Sequence, residues 1–497
     1  MISKGALTQR LAHGSIDFTS TLVEQALLSD TLRGLVMKEL EKYLLAQVQQ
    51  SASPWRPTQV TQDKLDLAKA LIRSTSRALD RKQISRQVLH RLLQVLLKNT
   101  VLLSDESSKR AMASFTERHN GKHPPVTMVV SPTKACNLRC VGCYANSGYS
   151  GEHLDWDIFD RILSEAKSLW GLRFFTISGG EPMAYRSHGK DLIDMATKHN
   201  DCFFQFYTNG TLIDERNAAR LAEAGNLIPV ISVEGFEDRT DGRRGRGVFQ
   251  RILGAMANLR SAGVPFGISL TATCKNAEEI LSDEFIDFFF NEQKAVFGWL
   301  FQYMPIGRSY TLDLLPTPDQ RVWMWKRAWE IIRSRDIMLA DFWNCGTASD
   351  GCIAAARESG YMYIDWNGKV MPCVFVPYSP ANIYDVYRHG GNLDSLYDLP
   401  YMRAIREWQW DYGLGKQKVE EHGNWLVPCS LRDHYGMGRQ LIDKFKPEPE
   451  DENAADALMD GDYYEGMMDY DEELYKRFDP IWQKHYLKQE PAPARTN

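Results

Sequence analysis

Between residues 121 and 310, short apolar runs alternate with amphipathic stretches, and this alternation restricts the fold more than any other feature of the chain. The runs "VTMVVSP", "FFTISGG", "CFFQFYTNG", "IPVISVEG", "FGISLTAT" and "FGWLFQYMP" read as strands. Between them, "WDIFDRILSEAKSL", "DERNAARLAEAG" and "GVFQRILGAMANLRSAG" read as helices. Six β-α units repeating roughly every 30 residues predict a parallel sheet, open or partly closed as a barrel. In such sheets chemistry gathers at the C-terminal ends of the strands.

The flanks read differently. Residues 1–120 are predicted to be helical, with Leu, Val and Met at three- and four-residue spacings in "IDFTSTLVEQALLSDTLRGLVMKELEKYLLAQ" and "ISRQVLHRLLQVLLKN", separated by "SASPWRPTQ". Such stripes pack on one another in a helical domain, although "VLHRLLQVLLKNTVLL" is apolar enough to dock on a membrane surface or a partner. A Trp-rich helix follows the last strand, with Val322, Trp325, Trp329 and Ile332 on one face as core. "YMYIDWNGKVMPC" predicts a β-hairpin turning at Asn367-Gly368. The stretch "PEPEDENAADALMDGDYYEGMMDYDEEL" is strongly acidic and is expected to be a solvated tail or peripheral segment. The expected organisation is thus a helical domain over 1–120, the β/α unit over 121–325, a third domain over 326–445 and an acidic tail over 446–497. A net charge of -5 offers no basic excess, so nucleic acid is not an expected partner. The N-terminus lacks a signal-peptide apolar core and no uncharged run reaches membrane-spanning length, which predicts a cytoplasmic protein, with membrane contact only through the N-terminal helices. There thiols stay reduced, so clustered cysteines read as metal or redox ligands.

Three of the nine cysteines fall within eight residues, in "CNLRCVGCYAN". Cys136, Cys140 and Cys143 fit C-x3-C-x2-C just after the first predicted strand. A zinc site would recruit a second Cys or His pair nearby, and none follows at the usual spacing. Three thiolates can instead bind three irons of a [4Fe-4S] cluster and leave the fourth iron open for a substrate or cofactor. Zinc and chance clustering remain alternatives on spacing alone.

Combined with Ser178-Gly179-Gly180-Glu181-Pro182 at the end of the second strand, this motif resembles the radical S-adenosylmethionine (SAM) enzymes over about residues 125–310. The resemblance implies a partial (β/α)6 TIM-like barrel within an α/β fold, and SAM chelated to the open iron. It further implies that one electron, from a reductant such as flavodoxin or ferredoxin, cleaves SAM to methionine and a 5'-deoxyadenosyl radical that abstracts hydrogen from the substrate. Residue by residue, Gly179, Gly180 and Glu181 map to the methionine amino group. Thr208, Asn209, Ser232 and Glu234 map to ribose and carboxylate contacts. "TDGRRGRGVF" is similar to a family stretch HDxxRGxGxF, which maps Arg244 to the SAM carboxylate; a surface salt bridge is the plainer alternative. Ser269, Thr271 and Thr273 mark strand five, and Gln302 with "MPIGR" marks strand six near the adenine. Two positions depart from the family. The aromatic residue usual before the third cysteine is Gly142, so that either Tyr144 substitutes or the adenine is held otherwise, and the usual His is Thr240.

Cys352, Gly368 and Cys373 fit C-x(9–15)-G-x4-C, which resembles the opening of the auxiliary-cluster extension called SPASM, but the C-x2-C-x5-C-x3-C block that completes it is missing. With Cys345 and Cys429, four cysteines suit one auxiliary [4Fe-4S] cluster in a small α+β iron-sulfur domain, as in the shorter twitch form; zinc or scattered core cysteines are the alternatives. Cys202 reads as a small buried hydrophobe. Cys274, near the end of strand five, is a candidate hydrogen-atom donor, or a core cysteine. The resemblance implies an enzyme that modifies a peptide or protein by cross-linking, epimerisation or oxidation. Lipid acyl chains, or a small sugar or nucleotide precursor, are alternative substrates, and a non-enzymatic iron-sulfur scaffold is the outsider.

Overall fold

The structure is a computed structural model that describes residues 23–96 and 105–488. All six predicted strands are present: β1 (Met128–Val130), β2 (Phe174–Ile177), β3 (Phe203–Thr208), β4 (Leu227–Val233), β5 (Gly267–Ala272) and β6 (Phe297–Gln302). Each lies parallel to the next, in sequence order. Alternation sorts the side chains of β3: Phe204 and Phe206 enter the core beneath the helices, while Gln205 and Tyr207 face the concave side. Asp155 and Asp214 cap the first turns of the helices Trp156–Trp170 and Glu215–Ala224, and Gly171, left-handed at φ 73°, ends the first of these.

The sheet is longer than six strands. β7 (Leu339–Asp341), which is not among the predicted strands, extends it in parallel beyond β6. The predicted hairpin forms as β8 (Tyr363–Ile364) and β9 (Lys369–Met371), and β8 lies parallel to β1, covering what would otherwise be an open edge. Two short strands follow: β10 (Tyr378–Ser379), which pairs away from the sheet with β12 (Glu448–Pro449), and β11 (Ala381–Asn382), antiparallel to β9. The register Val129 to Tyr363 and Tyr363 to Met371 sets Cys373 at the N-terminal end of the parallel strands, opposite the Cys136 loop that follows β1.

The N-terminal helices Arg33–Gln50 and Thr58–Asp80 bury Met37, Ile72 and Leu79 with Leu27 and Leu89 in a core of their own. Their other contacts reach the rest of the chain: Ala70 packs with Trp329 and Ile332 of the helix Pro318–Arg335, and Val60, Val88 and Phe115 join the main core. Among the described residues no helix is long and apolar enough to cross a membrane. Residues 97–103 of the most apolar stretch, and residues 16–22 of the first predicted helical one, lie outside the described residues.

The acidic stretch is not a solvated tail over its described part. It forms the helices Glu452–Met459 and Gly461–Trp482. Tyr463, Met467, Tyr470, Leu474, Phe478 and Trp482 are buried at three- and four-residue spacings, and the Tyr463 and Tyr470 hydroxyls donate to Pro305 O at 3.0 Å and Pro316 O at 2.8 Å. The acidic residues concentrate on the outer face of an amphipathic helix, and net charge alone concealed that pattern.

Candidate active site

The sheet encloses a cavity of about 270 Å³ that runs along the strands. Cys136, Cys140, Cys143, Ser178, Gly179, Gly180, Thr208 and Asn209 line its end at the C-terminal strand tips. Gln205, Tyr207, Ser232, Ser269, Thr271, Trp299 and Gln302 line its middle, and Phe342, Ile353, Tyr361, Val374 and Phe375 close the opposite end.

The cysteine loop is held by its neighbours rather than by regular structure. Cys136 N–H donates to Gly148 O at 2.8 Å, and the Leu138 N–H and Asn209 Nδ2 point at Cys136 Sγ from 3.4 and 3.7 Å. Arg308, from the "MPIGR" stretch, donates from its backbone to Cys143 O at 2.9 Å and from its guanidinium to Cys140 O at 2.7 Å and to Ser147 O. A β-carbon at Gly307 would lie 2.2 Å from Tyr144 O, so this turn presses directly on the loop. Arg308 was not singled out as a loop-holding residue; the only signal is a Gly-Arg pair just past a strand.

The glycines of "SGGEP" allow a close approach of chain to chain. A β-carbon on Gly180 would lie 2.3 Å from Ala135 O, and one on Gly179 2.6 Å from Thr133 O. Gly180 N–H donates to Thr133 O at 2.9 Å and Glu181 N–H to Ala135 O at 2.8 Å, which fixes the residue preceding Cys136. The Glu181 side chain differs from its expected role toward an ammonium. Its carboxylate is buried and accepts from Thr208 Oγ1 at 2.7 Å, Asn209 N at 2.7 Å and Met183 N at 3.0 Å, and it does not line the cavity. It ties β2 to β3.

Glu234 and Arg244 also pair with each other. Glu234 is buried, and its Oε1 accepts from Arg243 Nη1 at 2.7 Å and Arg244 Nε at 3.0 Å. Burial alone would lower the Arg244 pKa, but the Glu234 carboxylate raises it overall. Arg244 is therefore an internal cation at the cavity wall, not a surface salt bridge. Thr240, at the departed His position, is buried and its hydroxyl accepts from Glu234 N at 3.2 Å. Gln302 Nε2 is anchored on Asp341 at 3.0 Å, while its Oε1 has no partner beside the cavity.

The second departure has a steric explanation. A β-carbon on Gly142, at φ 62°, would meet Tyr303 Cε2 at 2.7 Å, so Tyr303 occupies the space a side chain there would need. Tyr144 instead hydrogen-bonds Ser178 Oγ at 2.6 Å and meets the Phe375 ring at 5.8 Å.

At the far end, Cys352, Cys373 and Cys429 are coupled electrostatically to one another. Tyr361 Oη lies 2.8 Å from Cys373 Sγ, and the Phe375 and Arg432 N–H groups point at Cys373 and Cys429 sulfurs from 3.4 and 3.3 Å. Cys345 does not join them. It is buried in a separate cluster with Ala70, Trp329, Ile332, Met338 and Ala340. Cys202 is fully buried. Cys274 does not line the cavity; its thiol donates to Asp313 O at 3.0 Å.

Both cysteine sets suit a multi-iron cluster better than a single ion. A tetrahedral zinc with Zn–S near 2.3 Å brings its sulfurs to about 3.8 Å of one another. Among the described residues, the one group of three ligating side chains with all ligand atoms within 4.8 Å is the part-exposed Asp155, Asp157 and His188. The wider cysteine sets allow each thiolate its own iron. Burial pushes the Cys136 thiol up to about 12 and raises Cys140 as well, so both are protonated until a metal displaces the proton. Ser232, Ser269, Thr271 and Gln302, whose Oε1 has no partner, set polar groups along the wall.

Residues 130–281 match the family model described as the radical SAM superfamily. Over 301 residues the chain is 28% identical to the mycofactocin maturase MftC of Mycolicibacterium smegmatis, covering 58% of this chain and 74% of that protein. It is 27% identical over 284 residues to the AdoMet-dependent heme synthase of Methanosarcina barkeri, covering 50% and 77%. Native anSMEcpe with bound AdoMet and Cp18Cys peptide shares the fold at a TM-score of 0.50 and 17% identity, covering 73% of this chain and 99% of that one. The three-cysteine loop after β1 and the glycine turn after β2 lie within the matched residues, so the chain is an enzyme carrying a radical SAM domain, with a [4Fe-4S] cluster and SAM as cofactors.

Proposed function

We propose that this enzyme modifies a peptide or protein substrate held in the cavity between two iron-sulfur sites. The observation that carries this reading is one continuous cavity with Cys136, Cys140 and Cys143 at one end and, at the other, Ile353 and Val374, the chain neighbours of Cys352 and Cys373 just behind the wall. A relative named a maturase and a fold neighbour bound to a peptide support that substrate class. Together the cluster and SAM supply hydrogen-atom abstraction from an unactivated C–H bond.

The chain's own residues position and enclose. Cys136, Cys140 and Cys143 would hold the cluster, with Gly180, Glu181 and Arg308 setting the loop that carries them. Gly179, Thr208, Asn209, Ser232, Ser269 and the free Gln302 Oε1 would hydrogen-bond SAM, with Arg244 its cationic neighbour, held by Glu234. Tyr303, rather than Tyr144, would supply the aromatic surface missing at Gly142. Tyr207, Trp299 and Phe301 give the passage between the two ends an aromatic wall opposite its polar residues, which limits water around a reactive centre. A low-potential donor such as flavodoxin or ferredoxin would deliver the electron.

A second reading takes a tetrapyrrole in the same cavity, because one relative is named a heme synthase. The test is 5'-deoxyadenosine formation by the anaerobically reconstituted, reduced protein, assayed in parallel with peptide, tetrapyrrole, polar and lipid fractions of host extract. Stimulation by peptide alone supports the first reading. Stimulation by tetrapyrrole alone replaces it, and no stimulation by any fraction refutes both.

A further inference from the structure

Arg432 is wholly buried three residues after Cys429. Its Nε donates to Asp433 Oδ1 at 3.0 Å and its guanidinium lies over the Trp343 ring at 4.4 Å, but Nη1 and Nη2 have no acceptor. A buried cation with unmet donors is costly unless an anion meets it. Asp433 cannot be that anion alone, because Arg321, also wholly buried, takes the same Oδ1 at 2.7 Å. Two guanidinium groups thus share one carboxylate. Neither of the other buried carboxylates nearby hydrogen-bonds Arg432: Asp341 accepts from Gln302 Nε2, Trp343 N and Asn344 N, and Asp471 accepts from Tyr435 N.

The groups nearby that become anionic only when a metal displaces their protons are the thiols of Cys352, Cys373 and Cys429. Cys429 lies in the field of Arg432, and the Phe375 ring, two residues after Cys373, packs on Trp343 at 5.2 Å. Cys345 has a different setting, with Asp341, Asp63 and Arg333 as its charged neighbours. Building on the two-site reading above, we infer that Cys352, Cys373 and Cys429 are the only cysteine ligands of the auxiliary cluster. Arg432 is a positioning residue whose free Nη1 and Nη2 donate to that cluster's sulfur. Cys345 is a core side chain, and the fourth ligand of the cluster is not a thiolate. A cationic donor against an anionic cluster favours its more negative, reduced state and raises its potential.

The experiment uses full-length protein with Cys136, Cys140 and Cys143 changed to Ala, reconstituted anaerobically, with iron content and the EPR signal of the reduced cluster as readouts. About four irons per chain are expected to remain. In that background Cys345→Ser is expected to leave iron and EPR signal unchanged, and Cys373→Ala to remove both. Arg432→Gln is expected to keep the iron and shift the midpoint potential downwards, with Arg432→Lys, which retains the charge, between it and the parent. Should Arg432→Gln fail to fold, the Lys variant carries the comparison. Loss of iron in Cys345→Ser to the extent seen in Cys373→Ala would overturn the ligand assignment, and an unchanged potential in the Arg432 variants would overturn the role of Arg432. No cluster at all in the background protein would instead refute the two-site reading on which both rest.

Discussion

Gly180→Ala tests whether the "SGGEP" turn acts by placing the cysteine loop. The added β-carbon would lie 2.3 Å from Ala135 O and 2.4 Å from Lys134 O, and both are backbone atoms that no rotamer change can move aside. Reaching the ordinary contact distance of 3.4 Å from 2.3 Å requires about 1.1 Å of movement between the two segments. Overpacking of this kind costs about 1–3 kcal/mol. The same movement strains the Gly180 N–H to Thr133 O and Glu181 N–H to Ala135 O bonds, each worth about 0.5–1.5 kcal/mol. The sum, about 2–6 kcal/mol, lies mostly below the roughly 5–15 kcal/mol that holds a typical domain folded, so the chain is expected to stay folded and yield locally. It yields beside Cys136, where about 1 Å of displacement can cost on the order of 100-fold in rate. The expected result is native-like circular dichroism, reduced iron loading and SAM cleavage lowered by about two orders of magnitude. Gly254→Ala, on the helix Val248–Ala262 where an added β-carbon meets nothing within 4 Å, is the matched control. Normal iron content and normal cleavage in Gly180→Ala would refute the reasoning.

Three further outcomes are expected. Cys140→Ala abolishes SAM cleavage while the Cys373 site still binds iron, which iron analysis and product assay distinguish; retained cleavage would remove Cys140 from the ligand set. Cys274→Ala leaves turnover within about twofold of the parent, since its thiol is bonded to Asp313 O away from the cavity; loss of turnover would restore it as a hydrogen donor. Burial lowers the His434 pKa from 6.5 to about 4, so the unfolded chain binds its proton first as pH falls. Its contribution is therefore complete above pH 6.5 and is lost towards pH 4, by about 3 kcal/mol. Urea unfolding of His434→Gln should show a flatter acid limb, and an identical pH profile would exclude His434 as the cause.

What could be read from the sequence was local. Six strands, the hairpin turn at Asn367-Gly368 and the cysteine loop after β1 each follow from a pattern complete within about a dozen residues. β7 was missed because "IMLAD" is too short to show alternation, and it forms by pairing with β6, which no local pattern encodes. Cys345 shows the same limit at the site. Its position seven residues before Cys352 suggested a shared ligand set, but the turn Gly346–Ser349 directs it into a core with Trp329 instead. Glu181 and Glu234 lie near the cysteine loop, but their partners, Thr208 with Asn209 and Arg243 with Arg244, make them internal ties. Residue type fixes which chemistry is available, whereas tertiary partners decide whether it faces the cavity.

The far end of the cavity depends on parts of the chain that carry no motif. Asp63, fully buried on the helix Thr58–Asp80, accepts from Thr347 Oγ1 at 2.7 Å, Tyr486 Oη at 2.8 Å and Arg333 Nη2 at 2.7 Å. One carboxylate thus joins the N-terminal helices, the Trp-rich helix, the segment leading to Cys352 and the end of the acidic stretch. Arg56, just ahead of the same helix, donates to Leu414 O at 3.1 Å and lies over Trp425 at 5.1 Å, near Gly351 beside Cys352. A barrel of six β-α units can form its upper site from its own loops, because strand ends deliver Cys136, Gly180 and Thr208 together. The lower site has no such frame: Cys352 and Cys429 sit on irregular segments, and irregular backbone is held only where side chains from elsewhere satisfy it. The described helical flanks supply those side chains, which gives the helix Thr58–Asp80 and the segment carrying Tyr486 a structural reason to pack where they do.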